Sequence, residues 1–600
     1  MSTTPVEGVA AKAALPAWAG EMRELFRSGS VAQFLLHGNV FDVVQLQDGE
    51  RERLLPLRAF LDDVMFDGWE VVLHYDRSRG IRASRGGDDF ARFLDDALGD
   101  AASDLARTTE PAAALELLDR YLLRSLNLQR LAAAAASTAS AGARSGPATA
   151  APRRIAVVID FAEFVVPRGD AVALGGAFSA NVVKVLGWAN DPEILNASIA
   201  TVLVSEGLLD LSELVVENPH AASLQIPLPD ETAMRAYLGA LAADGLEGLE
   251  ERCDLPLDVV ARRLTGLSRA GARKALGVAL RNDRRITAEW LTRKKKEIIE
   301  RECAGLLEFL ESPFTLDNLA GNDAVKAWLR EDGELLRRGA LHALPMGYLI
   351  AGRIGTGKTF LVQCWAGELG IPCVVLKNFR DRWVGATEAN LERIFEVLRA
   401  LGQVVVFVDE ADQATGKRDG GAQDGGLSGR VYSMLAKEMS ETRNRGRIMW
   451  VFATSRPDLV EVDLKRQGRL DVHIPLFPPE TAAEARALLI TIAKKMRLPV
   501  TDADLPELPQ QALLGPSELE GALVRAMRVH ELSPEPRPPL RDTIAGVLAD
   551  VRPSAAGKRL EHMDMVAVKE CTDARFLPAR FRDMTPEQIE ARLAELRPFV

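Results

Sequence analysis

The chain is poor in cysteine, with five in 600 residues, at positions 253, 303, 364, 373 and 571. None forms a CxxC pair and the number is odd. The spacing therefore supports neither a zinc knuckle nor a disulfide framework, and a reducing cytoplasm is the expected home. Long apolar runs are missing too. No stretch of about 20 apolar residues occurs, which argues against a membrane span. The opening MSTTPVEGVAAKAALPAWAG lacks a basic segment followed by a continuous apolar one, so no secretory signal is expected. Positive charge is not in excess either. Lys and Arg number 74 against 85 Asp and Glu, a formal charge of −11, which counts against a chain built on phosphate-backbone contacts. What remains is ordinary: 47% hydrophobic and 26% charged residues, the balance of a soluble globular chain long enough for several domains.

Residues 131–153 are rich in Ala, Ser, Gly and Pro and hold no large apolar side chain after Leu131. Such a segment cannot offset its ordering entropy by burial, so it is read as a mobile insert. Before it, Trp69 to Tyr75 has strand composition and 112–130 has helical periodicity. After it, Ile155 to Asp160 and Thr201 to Ser205 are short apolar runs suited to buried parallel strands. A helical stretch follows from Glu231 to about Leu280, then a long charged helix over 287–311. Its Lys294-Lys295-Lys296 cluster reads as a solvated face, with nucleic-acid contact as the alternative. A second strand/helix alternation runs from Pro313 to about 480, and a helical segment opens at Gly515-Pro516-Ser517-Glu518. The Pro-rich 533–540 marks a break. The expected organisation is an α/β module over 1–230 carrying the insert, a helical lid and linker helix over 231–312, an α/β core over 313–480, a second helical lid over 481–540, and a tail over 541–600.

The strongest chemical signal is Gly352-Arg353-Ile354-Gly355-Thr356-Gly357-Lys358-Thr359, a complete G-x-x-x-x-G-K-T. It follows an apolar strand, Tyr348 to Ala351, and opens a helix beginning Phe360, which is the context a phosphate-binding loop requires. Its glycines let backbone N–H groups approach phosphate oxygens at a helix N-terminus. Lys358 would contact the β- and γ-phosphates and the Thr359 hydroxyl would ligate Mg²⁺. A second apolar run, Val404 to Val408, ends in Asp409-Glu410. Such a strand delivers acids to the edge where α/β ligand sites lie. Asp409 would hold Mg²⁺ through water and Glu410 would activate the attacking water. The chain is therefore read as binding and hydrolysing ATP with Mg²⁺.

Taken in order, these motifs resemble the AAA (AAA+) ATPases. Phe314 to Gly321 is similar to the family's opening, which implies Gly321 near the adenine. Trp383-Val384-Gly385 resembles the aromatic–aliphatic–Gly pore loop, a buried anchor being the alternative for Trp383. Ala453 to Asp458 resembles the sensor strand, with Ser455 where the family usually has Asn. Arg466-Gln467-Gly468-Arg469 resembles the pair that reaches a neighbouring subunit's nucleotide; no acidic partner is obvious in sequence, and surface solubility is the alternative role. The resemblance covers about 313–530. It implies a P-loop AAA+ module with a helical lid, and a homo-oligomer, a hexamer, whose active site is completed by Arg466 and Arg469. Ser455 implies slower hydrolysis, because a hydroxyl is shorter than an amide. The lid start carries no arginine.

The first half is similar to a degenerate AAA-like α/β module, a layout resembling chloroplast-type and bacterial AAA proteins; coincidental α/β periodicity is the alternative. Tyr75-Asp76-Arg77-Ser78-Arg79-Gly80 stands where a phosphate loop could follow a strand but has no G-K-[ST]. Val157 to Glu163 reads as an acid-ended strand with its second acid displaced. Ile226 to Asp230 parallels Ile474 to Glu480. The leading expectation is a ring-forming remodeller of an unidentified protein client. The alternatives are a low-turnover ATP switch or scaffold and, against the acidic balance, a nucleic-acid motor. A zinc protease is excluded on motif grounds, since His530-Glu531-Leu532-Ser533-Pro534 lacks the second histidine of HExxH.

Overall fold

Apolar runs without polar alternation bury both strand faces, and such strands assemble into parallel sheets covered by helices. The computed structural model describes residues 15–48, 51–98, 108–140, 153–169, 175–243, 245–303, 305–377, 387–412, 427–508, 514–551 and 557–599. It contains one such sheet in each of two units, Met1–Lys295 and Lys296–Val600.

The strands of the first unit are β1 (Gln33–Gly38), β2 (Val43–Asp48), β3 (Arg51–Pro56), β4 (Val71–Asp76), β5 (Gly80–Arg85), β6 (Ile155–Asp160), β7 (Ile199–Val204) and β8 (Ala221–Ile226). Six form a sheet in the order β5-β4-β6-β7-β1-β8, while β2 and β3 make a separate hairpin. Only β5 runs antiparallel to its neighbour in the sheet. Successive residues point to opposite faces. Thus Leu73, Val157 and Leu203 pack with Tyr121 and Trp188 on one side, while Val72, Val158 and Val202 pack with Trp18, Phe60 and Phe66 on the other.

The second unit holds β9 (Leu307–Phe309), β10 (Gly347–Ala351), β11 (Cys373–Leu376), β12 (Val404–Val408), β13 (Ile448–Thr454) and β14 (Val472–Pro475). Their order is β9-β11-β12-β13-β10-β14, with β9 alone antiparallel. Counted along the chain, the five parallel strands of both sheets lie second, third, fourth, first, fifth. Helix Lys358–Leu369 covers one face through Leu361, Val362 and Trp365. Trp365 meets Tyr348 of β10 edge-on at 5.0 Å between ring centres. Helices Ala482–Lys495, Pro516–Leu532 and Leu540–Asp550 build a lid around Leu489, Leu519, Leu523 and Ile544.

Two expectations change and a third, the helical stretch from Glu231, is resolved into its helices. The insert expected over 131–153 is helical as far as Ser140, in a helix that starts at Pro111. Alanine propagates a helix without needing burial, so LAAAAA extends one already nucleated by packed residues. Residues 141–152 lie outside the described residues. The charged helix expected over 287–311 ends at Glu302. Gly305 takes a left-handed φ of 72°, and the following Leu307–Phe309 adds an edge strand to β11. The stretch from Glu231 to Leu280 is four helices, broken near Gly245 and Gly248, at Pro256 and before Ser268.

Candidate active site

The loop after β10 holds its shape through glycine. Gly352, Gly355 and Gly357 take φ values of 154°, 83° and 88°, conformations that L side chains rarely adopt. A Cβ on Gly352 would also strike the Leu476 carbonyl of the adjoining chain. The loop ends at Gly357, the N-cap of helix Lys358–Leu369, so the first N–H groups of that helix face the loop. Lys358 curls into it and donates through Nζ to the carbonyls of Gly352 at 2.8 Å and Arg353 at 3.1 Å. Burial lowers its amine to about 8, with Asp409, Asp412 and Asp564 opposing the shift.

Strand β12 is buried throughout and ends at the acids. Asp409 Oδ2 accepts from the Thr359 hydroxyl at 2.8 Å, joining the loop helix to the strand. Glu410 follows with φ of 48°, a left-handed conformation that turns its side chain out to solvent. On the next strand the Thr454 hydroxyl donates to Asp412 at 2.6 Å. Ser455 comes one residue later and is half-buried.

A cavity of about 950 Å³ opens beside the loop. Gly321, Gly355, Thr356, Gly357, Lys358, Thr359 and Phe360 all line it, which brings the opening motif to the loop although 30 residues lie between Gly321 and Gly352. Gly352 and Arg353 contribute carbonyls to Lys358, and Ile354 is 68% exposed. The lid contributes Leu488, Lys495 and Ser517.

Sequence reasoning missed one wall. Arg575, Phe576, Leu577, Pro578 and Arg582 complete the cavity, although 541–600 had been read as a tail. Phe576 is buried in the same core cluster as Tyr348 and Trp365. Phe581 packs on Phe477 at 5.1 Å, and Arg580 pairs with Glu480 at 2.7 Å. Helix Gly557–Lys569 also places Asp564 3.8 Å from Arg353. Burial raises the Asp564 carboxyl to about 6, with Arg353 opposing. The sequence signal was the Arg575-Phe576-Leu577-Pro578 and Arg580-Phe581-Arg582 cluster, readable as a docking segment or a packed tail, which carries no address.

Arg466 and Arg469 do not line this cavity among the described residues. Both turn to Asp463, at 2.5 and 3.0 Å, which corrects the expectation that they lack an acidic partner. The pore-loop residues Trp383, Val384 and Gly385 lie outside the described residues.

Comparison with known proteins fits these observations. Residues 7–227 match the family described as AAA+ chaperone, N-terminal Rossmann-like domain. Residues 235–304 match AAA+ chaperone, second helical domain. Residues 348–477 match the ATPase family associated with various cellular activities (AAA). The chain is an AAA+ protein with two AAA-like modules. Relatives include ATP-dependent zinc metalloprotease FtsH 1 of Symbiobacterium thermophilum, 32% identical over 206 residues, which are 33% of this chain and 34% of that protein. FtsH of Methylibium petroleiphilum is 33% identical over 200 residues, 32% of each chain. FtsH 3 of Sphaerobacter thermophilus is 31% identical over 236 residues, 39% of this chain and 45% of that one. The chain thus spans about a third of the length of the first two. Among the described residues, no group of three His, Cys, Asp or Glu side chains could hold a metal ion, and no helix is long and apolar enough to cross a membrane.

The AAA+ sheet order corrects one assignment in the first module. Strand β1, lying between β7 and β8, corresponds to β10, so the counterpart of the phosphate loop is Gly38-Asn39-Val40-Phe41-Asp42. The expected site at Tyr75–Gly80 is instead the end and turn of the β4–β5 hairpin. The strand Gln33–Gly38 was not legible in the sequence because its apolar run is only Phe34-Leu35-Leu36, with Gln33 before it and His37 and Gly38 after it. In this loop a carboxylate reaches across to the lid. Asp42 is buried, and its oxygens accept from the backbone N–H of Arg269 at 2.7 Å and Ala270 at 2.8 Å, at the start of lid helix Arg269–Arg281. Asp160 ends β6 as Asp409 follows β12, but lies 3.4 Å from His74 Nδ1 and 4.0 Å from Arg58. Phe161 occupies the Glu410 position with a matching φ of 55°. Glu163, read as the displaced acid, turns inward, where burial raises its carboxyl above the usual range.

Proposed function

We propose that the second module binds ATP with Mg²⁺ and hydrolyses it, and that copies of the chain join in a ring, a hexamer, that remodels a protein client. The observation that carries the reading is the Thr359 hydroxyl, which lines the cavity beside Lys358 and is bonded at 2.8 Å to Oδ2 of Asp409, the acid that precedes Glu410. In this reading Lys358 leaves the two loop carbonyls for the β- and γ-phosphates, and the backbone N–H groups of Gly355 to Thr359 take their remaining oxygens. Thr359 and Asp409 offer a hydroxyl and a carboxylate, the oxygen donors that Mg²⁺ requires. When bound, the ion neutralises charge developing on the phosphates. Glu410, turned to solvent, accepts the proton of a water whose oxygen attacks the γ-phosphorus. The bond to the β–γ bridging oxygen breaks, giving ADP and phosphate. Ser455 orients that water.

Arg466 and Arg469 would swing from Asp463 to a neighbour's γ-phosphate; arginine suits planar, multi-donor contact. Such a residue is worth about 10³–10⁵ in turnover, which ties hydrolysis to assembly. Gly321 and Phe360 bound the base end of the cavity. Trp383, Val384 and Gly385 would grip the client in the ring's pore. The relatives' names describe proteases. The remodelling role assigned here rests on the AAA+ chaperone matches of the first half.

The test is capture with a Glu410→Gln chain and ATP, because a stalled ring retains its client. Retention of Mg·ATP unchanged after Lys358→Ala would sink the nucleotide reading. A dilute monomer that hydrolyses as fast as concentrated protein would sink the ring. A low-turnover switch is the second reading, favoured by Ser455. It requires that Trp383→Ala leave function intact.

A further inference from the structure

The first module holds a cavity of its own, of about 490 Å³, beside helix Ala17–Arg27. Its wall is apolar. Met22 and Phe26 of that helix, Phe34 of β1, and Met65, Phe66 and Trp69 ahead of β4 all line it. Trp69 touches both Phe26 and Phe66, at 5.1 and 4.8 Å between ring centres. Phe26, Met65 and Trp69 are only half-buried, so the wall keeps apolar surface to cover. This volume and lining are those of a ligand site. The backbone is irregular here too. The Phe66 N–H donates to the Leu61 carbonyl at 2.8 Å, five residues back, so Leu61–Met65 is a π-turn. Such turns gather at functional sites, and Asp63, Val64 and Met65 of this one face the cavity.

Charge sits at the rim. Arg23, Arg27, Arg53 and Arg154 line the cavity against Asp63 and Asp67, in a chain whose formal charge is −11. Asp67 is already paired with Arg85 at 3.6 Å, and Arg154 is anchored by donating to the Gly68 carbonyl at 2.6 Å. The side chains of Arg23 and Arg27 make no hydrogen bond or ion pair among the described residues. They stand one turn apart on Ala17–Arg27, on the same face of the helix, and offer two guanidiniums to two carboxylates.

One wall also offers backbone. Leu46 and Arg53 lie opposite each other in the β2–β3 hairpin, so both point to one face, and both line the cavity. Strands β2 and β3 pair only with each other. Each therefore has an outer edge of N–H and C=O groups without a strand partner among the described residues. A polypeptide can pair with such an edge, whereas an acyl chain has no groups to do so. The carboxylates of Asp63 and Asp67 repel a row of phosphates, which counts against a nucleic acid.

We propose that this cavity binds a short peptide segment of a partner protein, with aromatic or aliphatic side chains in the apolar wall and Asp or Glu residues on Arg23 and Arg27. The site lies within the first module and requires neither nucleotide nor a ring, so its test is independent of the reading of the second module. The full chain without nucleotide is titrated into three fluorescein-labelled hexapeptides and followed by anisotropy. The first has tryptophan and leucine at its centre and two acids on either side. The second has lysines in place of the acids, and the third has glycine and serine at its centre. The first should bind with a dissociation constant below about 1 mM, more weakly as salt rises, and the other two about tenfold or more weaker still. Arg23→Glu combined with Arg27→Glu should weaken the acidic peptide by about tenfold or more and tighten the lysine peptide, because it inverts the rim. Phe26→Ala should weaken the acidic peptide through the wall, with circular dichroism reporting that the chain is folded. Both variants should bind Mg·ATP like the parent.

Equal binding of the acidic peptide by the parent and the doubly reversed chain would overturn the proposal. So would equal binding of the three peptides by the parent, or failure of the acidic one to bind within that limit. Tighter binding of dodecanoate, or of a short oligothymidylate, lost in the same variants, would assign the cavity to an acyl chain or a nucleic acid and overturn the peptide. Peptide binding seen only after removal of residues 1–14 would give the cavity to that segment of the chain and overturn the partner. Self-association of the parent that is abolished by the double reversal, with no peptide bound, would give it to a second copy and overturn the partner equally.

Discussion

Lys358 gives the sharpest quantitative handle on the nucleotide reading. Its amine titrates near 8 in the nucleotide-free chain because burial disfavours the charged form. A triphosphate beside it would raise that value well above 9, since an opposite charge favours the ammonium. Binding must then take up a proton whenever free Lys358 is neutral. With a free value of about 8, the neutral fraction is about 0.1 at pH 7, 0.5 at pH 8 and 0.9 at pH 9. The dissociation constant for Mg·ATP should therefore be about tenfold weaker at pH 9 than at pH 7. The assay is titration calorimetry on the Glu410→Gln chain, run in buffers of different ionisation heat so that proton uptake is read directly. Uptake should rise from near zero at pH 7 to about 0.9 at pH 9. Lys358→Arg keeps its charge throughout and should show neither trend. Flat affinity and no uptake in the Lys358 chain would refute the placement of this amine on the phosphates. The sign for folding is also fixed. A lysine whose folded value is below its unfolded 10.5 opposes folding while charged, and that penalty is relieved as pH rises from about 8 toward 10.5.

Phe576→Ala should destabilise the second unit by about 3–5 kcal/mol and weaken nucleotide binding, read by denaturant midpoint and calorimetry, because its ring sits in the core beside the cavity wall. Asp42→Ala should cost the first unit about 0.5–2 kcal/mol through the lost cap on Arg269–Arg281, leaving ATP turnover per assembled ring unchanged. Gly367→Ala should lower the melting temperature, since a Cβ there collides with the carbonyls of Phe314 and Ser312; overpacking costs about 1–3 kcal/mol.

The second module's chemistry was legible because it is local. A phosphate loop needs its glycines, lysine and hydroxyl in fixed order, so Gly352 to Thr359 names itself, and an apolar strand ending in Asp409-Glu410 does nearly as much. Contacts made across sequence distance were not legible. Asp463 lies only three and six residues from Arg466 and Arg469, yet its pairing with both depends on how the segment before β14 folds back. Phe576 and Arg582 follow the loop by more than two hundred residues, and nothing in RFLP says which wall they complete. In the first module the missing motif left strand composition as the only guide. It pointed to β4 as the loop-bearing strand, whereas the sheet assigns that place to β1.

Amino-acid order by itself set the period of each strand and helix, the conformational freedom of the loop glycines and the acids at the end of β12, because these depend on neighbours within a few residues. Tertiary structure alone decided that Asp42 would cap the lid helix Arg269–Arg281, that Phe161 would adopt the backbone conformation of Glu410, and that the C-terminal helices would close the cavity. Those outcomes depend on which distant groups share a buried space, where an unpaired charge or an unfilled volume carries a large free-energy cost.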